Sequence, residues 1–368
     1  MTTRTTGTTG ATGTTALLPP AVVATAEGRW RVRRAWPADR RGVPVELEAE
    51  PAPDGTTGTG TVRAGWWRPD GVTVLPPGRD RRLPSLERVR GEVVSHRPGK
   101  RAVVRTADGH HVKVVRVGRA AEILAGIARA GALATTFRMP AVAAADDATV
   151  RFATLPGRSL HDAGAAGSDL TNDEWQQAWR QVLAAHTAAA TAPPPPVPSP
   201  PSLVVHDATA EAAVLRRWAD HWTGPDAPDW ATELGWAVDR VTDELLTGRP
   251  GPLRVIHRDL HDKQLLWDPA DGPGLLDVDT ACLGEAALDL GNLRAHARWR
   301  QRQGVWTADR AATVLDAVDR TVAATDVVER TAAHERATLL RIACVHAFRP
   351  ADRPHVGALV ADAVRPLR

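Results

Sequence analysis

The sequence has little of several residue types, and each shortage excludes a class of protein. Its 368 residues include no tyrosine and only two cysteines, Cys282 and Cys344. Two thiols cannot form a disulfide framework, and neither lies in the spacing of a zinc site, so we expect both to be buried and reduced. The first fifteen residues have no apolar core of a secretory signal, and no apolar run reaches the length of a membrane helix. The composition predicts a cytoplasmic protein that does not enter a membrane.

Lysine is also scarce, although the chain is rich in other cations. Lys100, Lys113 and Lys263 are the only lysines among 46 basic residues, which face 43 acidic residues and leave a net charge of +3. The abundance of arginine is typical of a GC-rich coding sequence. The arginines form no dense stripe with interleaved aromatic residues, so the sequence does not indicate nucleic-acid binding.

The pattern changes along the chain from strand-like to helical. Short alternating segments separated by Gly and Pro turns predict a β-rich or α+β module, and further strands precede a helix at residues 119–130. The proline-rich run 193–201 predicts an extended connection at the surface of a mainly helical region. We expect four parts, in chain order: a disordered tail at 1–27, an accessory module at 28–89, a β-rich lobe at 90–155 and a helical lobe at 156–368.

Two acidic clusters in the second half of the chain carry the strongest functional signal. His257, Arg258 and Asp259 follow one apolar run. Asp277 and Asp279 follow a second apolar run, and Asp277 lies eighteen residues after Asp259 (277 − 259). Each cluster stands at the end of a strand-like segment. The pair offers one carboxylate for a substrate hydroxyl and others for a divalent metal, which is what phosphoryl transfer requires.

These motifs resemble the catalytic and metal-binding loops of protein-kinase-like phosphotransferases, and the Asp-Leu-His continuation is most similar to the aminoglycoside phosphotransferase family. The resemblance covers about residues 90–350. It implies an α+β, bilobal protein-kinase-like fold with a β-rich N-terminal lobe and a mainly helical C-terminal lobe, preceded here by an extra N-terminal module. It also implies phosphorylation of a hydroxyl on a small molecule, such as an aminoglycoside, a sugar or an amino alcohol, with ATP or GTP and Mg²⁺.

The resemblance also implies roles for single residues. Asp259 matches the catalytic base, and Asp277 matches the carboxylate that joins the metal to the nucleotide phosphates. Asp279 is either a further metal ligand or a hydrogen-bond acceptor within its loop. Gln264 stands five residues after the base (264 − 259), where the family usually has a metal-binding Asn. Its amide oxygen can bind Mg²⁺ if the loop adjusts to the longer side chain, and a structural role is the alternative.

Lys113 is the expected ligand of the nucleotide phosphates. A lone lysine on a strand is usually an exposed alternating residue, but in this chain most surface cations are arginine, which makes Lys113 unusual. Glu122 follows nine residues later (122 − 113) in the next helix, and the resemblance implies that it pairs with Lys113.

Other residues of the motifs are expected to support the loops. The resemblance implies that His257 hydrogen-bonds the backbone beneath the catalytic loop and that Asp289 braces this loop. Lys263 can neutralise the transferring phosphate, although a solvated surface lysine is the simpler interpretation.

Two alternatives to an active kinase stay open. Residues 277–281 nearly match the nucleophile motif of haloacid-dehalogenase-type phosphatases, but Ala281 stands where Thr or Val is expected and the motif lies far along the chain. A catalytically silent, nucleotide-binding module of kinase-like fold is the second alternative, because Gln264 is unusual and the turn at 96–101 has no Gly-x-Gly-x-x-Gly. Asp207, Glu211 and Asp220 are candidates for the acidic cleft that an aminoglycoside would need.

Overall fold

The computed structural model describes residues 17–50, 61–191, 204–224, 227–325 and 327–365. Most of the predicted tail and the proline-rich run 193–201 lie outside these residues. One part of the predicted tail is contradicted, because Val22–Thr25 forms a strand, β1, that pairs with the following strand. The accessory module therefore begins earlier than residue 28.

The accessory module is a five-stranded antiparallel sheet in which each strand pairs with the next along the chain. Alternating apolar residues on short strands separated by turns account for this arrangement. After β1, its strands are β2 (Gly28–Ala35), β3 (Val43–Ala49), β4 (Val62–Arg68) and β5 (Gly71–Val74).

The next part of the chain forms a second antiparallel sheet, in the order β6-β7-β8-β10-β9. Helices α1 (Ala120–Arg129) and α2 (Gly131–Ala134) connect its third and fourth strands in the chain. The predicted strands and the predicted helix at 119–130 are confirmed, whereas β9 was not predicted. The strands are β6 (Glu92–Arg97), β7 (Arg101–Arg105), β8 (His111–Val115), β9 (Val142–Ala145) and β10 (Thr149–Phe152).

The rest of the described chain is mainly helical, as predicted, and holds two three-stranded sheets in the orders β11-β14-β15 and β12-β16-β13. The strands are β11 (Arg158–Ser159), β12 (Val205–His206), β13 (Leu253–Ile256), β14 (Leu265–Asp268), β15 (Gly272–Leu275) and β16 (Cys282–Glu285). The helices are α3 (Leu160–Ala163), α4 (Asn172–Thr191), α5 (Ala208–Ala219), α6 (Trp230–Thr247), α7 (Ala286–Arg302), α8 (Ala308–Ala323), α9 (Val328–His346) and α10 (Val356–Val364).

Apolar packing attaches the accessory sheet to the helical lobe. A single buried cluster runs from Val32 and Val45 of the sheet to Leu340 of α9 and Leu359 of α10. Burial of this continuous apolar surface fixes β2 beside the C-terminal part of α9. The accessory module is thus placed where it can line the cleft that contains the motif loops.

Two expectations from composition can be compared with the structure. Cys282 and Cys344 are buried and free, as expected, and burial raises the pKa of their thiols to about 11 and about 12. Among the described helices, none is both long and apolar enough to cross a membrane.

Candidate functional site

The predicted catalytic loop, residues 257–264, lies between β13 and β14, and His257 hydrogen-bonds its backbone. The imidazole is buried; its Nε2–H donates to the carbonyl oxygen of Leu276 at 2.8 Å, and its Nδ1 accepts from the backbone N–H of Asp259 at 3.3 Å. These bonds tie the first motif to the chain just before the second motif. The predicted structural role of His257 is confirmed.

Helix α7 supplies the second support of this loop. The buried carboxylate of Asp289 accepts hydrogen bonds from the backbone N–H groups of His257 and Arg258, each at 2.8 Å, and the Asn292 amide donates to the Arg258 carbonyl at 2.9 Å. Arg258 has φ of 74°, a conformation that costs free energy and persists only when its surroundings enforce it. The predicted brace at Asp289 is confirmed.

Asp259 presents its carboxylate to the cleft from this supported loop. Its side chain is 49% exposed, and it lies 3.9 Å from the Arg341 guanidinium and 4.0 Å from the His261 ring. A carboxylate in this position can accept a proton from a hydroxyl group that enters the cleft.

The second motif meets the β-rich lobe at Lys113. The Lys113 ammonium donates to Asp277 Oδ1 at 2.5 Å and to the two oxygens of Asp279 at 2.9 and 2.8 Å. Asp277 adopts a left-handed conformation, with φ of 56°, at the end of its strand. Arg258 and Asp277 are the two non-glycine residues with positive φ in the described ranges, and each belongs to one of the two motifs.

The charges at this end of the cleft act on the two carboxylates in opposite directions. Burial alone would raise the pKa of Asp277, but Lys113 and Arg101 lower it to about 2. Burial and the neighbouring Asp277 carboxylate raise the pKa of Asp279. One ammonium between two carboxylates leaves one negative charge over, and Arg101 is a further cation near Asp277.

The donor set here suits a hard divalent cation. Asp277 and Asp279 contribute carboxylate oxygens, and Gln264, whose side chain lines the same cleft as Asp277, contributes an amide oxygen. Mg²⁺ prefers oxygen donors of this kind. In the structure the Gln264 Nε2 lies 3.4 Å from His261 Nε2, so its amide also contacts the catalytic loop.

The predicted pair between Lys113 and Glu122 is wrong. Glu122 is exposed on α1 and pairs with Arg119 at 2.6 Å, whereas Lys113 contacts Asp277 and Asp279. Helix α1 starts at Ala120, so Glu122 lies in its first turn and shares one face with Arg119. A role for Glu122 in nucleotide binding stays a prediction that no contact supports.

Asp262 is an anchor of the catalytic loop that sequence reasoning missed. Its buried carboxylate binds the Arg300 guanidinium at 2.7 and 3.1 Å and accepts from the His161 ring at 2.7 Å. These charged hydrogen bonds hold its pKa well below the usual range in spite of complete burial. The sequence offers no signal that separates Asp262 from other loop carboxylates.

The motif loops open into a cleft of about 600 Å³ between β2 of the accessory sheet and the end of α9. Its lining includes Asp259, Gln264 and Asp277, and the size suits a small molecule. The three candidates for an aminoglycoside's acidic cleft, Asp207, Glu211 and Asp220, are not among its lining residues. Asp207 caps α5, and Glu211 pairs with the His206 ring at 2.7 Å.

Comparison with known proteins connects this site to one family. A profile described as the phosphotransferase enzyme family, APH, matches residues 92–325, which is more than half of the chain. No curated protein sequence matches the chain.

Several solved structures resemble this chain at low sequence identity. An amicoumacin kinase in complex with AMP-PNP, Ca²⁺ and Ami aligns with a TM-score of 0.52 at 12% identity, over 74% of this chain and 87% of that chain. A choline/ethanolamine kinase family protein from Mesorhizobium loti has a TM-score of 0.47 at 15% identity, over 76% and 90%. A glucosamine kinase has a TM-score of 0.45 at 18% identity, over 93% and 94%. The first likeness supports the predicted bilobal kinase-like architecture.

The phosphatase alternative has no support in this fold. The strand before Asp277, β15, belongs to a small antiparallel sheet within the helical lobe and pairs with β14. Both carboxylates of the supposed nucleophile motif bind Lys113 from the other lobe. The two acidic clusters thus belong to one site between the lobes.

Proposed function

The chain belongs to the phosphotransferase enzyme family, and we propose that it transfers the terminal phosphoryl group of ATP or GTP to a hydroxyl group of a small molecule. The observation that carries this proposal is the contact of Lys113 with Asp277 and Asp279 beside the cleft that also contains Asp259. These residues come from distant parts of the chain and together provide a cation for phosphates, carboxylates for a metal and a proton acceptor.

The roles of the residues follow from their positions. Lys113 orients the nucleotide phosphates, while Asp277, with Asp279 and Gln264, would hold Mg²⁺. The bound metal neutralises negative charge that develops on the phosphoryl oxygens. The acceptor oxygen forms a bond to the terminal phosphorus as the bond from that phosphorus to the nucleoside diphosphate breaks. The hydroxyl proton passes to the Asp259 carboxylate.

Rigid support explains how Asp259 can be aimed at the acceptor. The loop is fixed by His257 from one side and by Asp289 from the other, through hydrogen bonds to its backbone. Such support reduces the reorganisation that the reaction needs. The proposal therefore predicts that Asp259 matters for turnover and much less for nucleotide binding.

A thermal-shift experiment tests the nucleotide part of the proposal. Wild-type protein, Asp277→Asn, Asp259→Asn and the control Asp271→Asn, which changes an exposed acid in the nearby β14–β15 turn, would each be heated with ATP or GTP, with and without Mg²⁺. We expect Mg²⁺-dependent stabilisation in wild type, Asp259→Asn and the control, and its loss in Asp277→Asn. Absence of any nucleotide-dependent shift in the wild type would refute the proposal.

Turnover separates an active kinase from a silent nucleotide-binding module. For an acceptor that wild type phosphorylates, Asp259→Asn is expected to lower kcat by about 10²- to 10⁴-fold. Near-wild-type turnover in this variant would remove Asp259 from the mechanism. Nucleotide binding without transfer to any acceptor, including an anionic one, would favour the silent module.

A further inference from the structure

A β-bulge in the accessory sheet turns two consecutive arginines toward the cleft. The pairing of β2 with β3 shifts register between Val32 and Arg34, which leaves Arg33 as the extra residue. In a regular strand neighbouring side chains point to opposite faces of the sheet. The extra residue of a bulge interrupts this alternation and re-aims the side chains beside it. As a result, both guanidinium groups approach Glu46, at 4.0 and 3.6 Å, and both residues line the cleft.

Glu46 does not balance these two charges. Its buried Oε2 already accepts hydrogen bonds from the Ser95 hydroxyl at 2.8 Å and the His96 backbone N–H at 2.7 Å. A single carboxylate, which also joins the accessory sheet to β6, thus faces two guanidinium groups. Much of the donor capacity of Arg33 and Arg34 is left for another partner.

Arg349 adds a third guanidinium from the turn after α9. One of its N–H groups donates to His346 Nε2 at 3.1 Å, and His346 Nδ1–H in turn donates to Asp352 at 2.6 Å. Burial and Arg349 lower the pKa of His346 to about 3, so this imidazole is neutral. The Arg349 Nε is buried without a hydrogen-bond partner, and no carboxylate in the described ranges lies within 4 Å of the guanidinium.

Lys263 completes the group from the catalytic loop. Its side chain reaches the same cleft, and within the described chain its ammonium forms no hydrogen bond or ion pair. Lys263 is exposed, and Arg34 and Arg349 line the same cleft. The three side chains therefore present positive charge to one cleft.

Repulsion between unpaired cations in a partly enclosed cleft raises the free energy of the folded protein, and a bound anion lowers it. In the proposed mechanism Lys113 binds the nucleotide phosphates, which leaves the cleft cations Arg34, Lys263 and Arg349 for another anion. A positively charged acceptor would add to the repulsion. The unbalanced charge thus lies in the part of the cleft that remains for the acceptor.

We propose that the acceptor is an anionic hydroxylated compound, whose carboxylate or phosphate ester is held by Arg34, Lys263 and Arg349 while its hydroxyl faces Asp259. This inference rests on the proposed phosphotransferase function and narrows its substrate class. It separates the chain from enzymes whose acceptors are cationic aminoglycosides or amino alcohols.

The test uses probes that share a skeleton and differ in charge. Gluconate, glucose 6-phosphate, glucose and glucosamine would be titrated into the full-length protein saturated with Mg²⁺ and AMP-PNP, so that the nucleotide site is occupied. We expect at least one anionic probe to bind about tenfold or more tightly than glucose, and glucosamine to bind no better than glucose. The carboxylate and phosphate arms show which anion the cleft prefers.

Substitutions assign the effect to the cations. Arg349→Gln and Lys263→Gln should each weaken binding of the preferred anionic probe by about 10- to 100-fold and leave binding of glucose unchanged. Arg217→Gln, an exposed residue on α5, is the matched control that should change neither. Arg349 is the less accessible of the two residues. If Arg349→Gln does not fold, binding of the anionic probe by Lys263→Gln still tests the proposal.

The two proposals fail in different ways. Binding or phosphorylation that favours glucose or glucosamine over both anionic probes, with intact nucleotide binding, would overturn the anionic acceptor and leave the kinase proposal standing. Equal affinity for all four probes would also overturn it. Failure of the wild type to bind Mg²⁺ and AMP-PNP would instead refute the phosphotransferase function itself.

Discussion

At the Lys113 end of the cleft, one ammonium lies between the carboxylates of Asp277 and Asp279. At the cationic end Arg34, Lys263 and Arg349 outnumber the two nearby carboxylates, Glu46 and Asp352, and Asp352 also accepts a hydrogen bond from the His346 ring. In the first arrangement the carboxylates outnumber the ammonium, so the cation is fully paired without any ligand. In the second arrangement the described carboxylates neutralise only part of the positive charge. The Lys113 end can therefore replace its internal ion pairs with contacts to a metal and phosphates, whereas the cationic end needs a bound anion.

The two ends also differ in where their residues come from. The Lys113 end is built from β8 and the second motif, which the family profile covers. The cationic end takes Arg34 from the accessory sheet, and Arg349 lies beyond the matched region, which ends at residue 325. Arg34 and Arg349 thus lie outside the matched region, whereas Lys263 lies inside it.

The largest effect is expected from Asp277→Asn. This substitution removes a charge from the proposed metal site and leaves Lys113 with one carboxylate, so kcat should fall by about a thousandfold, the equivalent of several kcal/mol. Steady-state kinetics over a range of Mg²⁺ concentrations measures the loss, with Asp271→Asn as control. Similar losses in both variants would mean that the Lys113 end has no special role.

A smaller effect is expected from Lys113→Arg. A planar guanidinium does not reproduce the contacts of a compact ammonium with two carboxylates, so the KM for the nucleotide should rise about 10- to 100-fold. The reverse exchange, Arg151→Lys on the neighbouring strand β10, is the control, because Arg151 pairs with Asp108 at the surface. An unchanged nucleotide KM in Lys113→Arg would contradict the role of this lysine.

Glu46→Gln tests the excess of positive charge at the cationic end. Glu46 is the only carboxylate within 4 Å of Arg33 and Arg34 in the described ranges, so its removal should lower the free energy of unfolding by about 1–3 kcal/mol, measured by urea denaturation. Glu48→Gln on the same strand disrupts only the partly exposed pair with Arg31 and should cost less than about 1 kcal/mol. An anionic acceptor should restore part of the loss in Glu46→Gln. Equal losses of unfolding free energy in Glu46→Gln and Glu48→Gln would show that repulsion between Arg33 and Arg34 does not destabilise the fold.

The smallest effect concerns pH. The fold lowers the pKa of Lys263 from 10.5 to about 8, so its ammonium loses its proton between about pH 7 and 9. The KM for an anionic acceptor should therefore rise a few-fold over this range, and the rise should be absent in Lys263→Gln. Because the folded-state pKa lies below the unfolded value, the unfavourable contribution of this group to stability decreases as the pH rises from about 8 toward 10.5. A pH-independent KM in the wild type would contradict a charged contact at Lys263.

The sequence was sufficient for the parts of the site that depend on local pattern. Apolar runs ending in carboxylates predicted the two loops, and the positions of His257 and Asp289 beneath the catalytic loop agree with the structure. Helical periodicity likewise predicted the helix at 119–130. These features follow from residues that are near one another in the chain or belong to one extended motif.

Features that depend on tertiary placement were not predicted. Glu122 was expected to meet Lys113, but the first turn of α1 directs it toward Arg119. The convergence of Arg34 and Arg349 requires a bulge in β2 and the packing of the accessory sheet against α9, neither of which has a local sequence signal. Lys263 is an exception, because the rarity of lysine that marked Lys113 applied equally to it.

Transfer of labelled phosphate provides the most direct test of the account. Wild type, Asp259→Asn and Asp271→Asn would be incubated with Mg²⁺ and ATP that is radiolabelled in its terminal phosphate, together with gluconate, glucose 6-phosphate, glucose or glucosamine. The account predicts label in a hydroxyl ester of an anionic acceptor, formed by wild type and Asp271→Asn and reduced by about 10²-fold or more in Asp259→Asn. Equal labelling by Asp259→Asn and wild type would contradict the proposed catalytic site, and exclusive labelling of glucosamine would contradict the proposed acceptor.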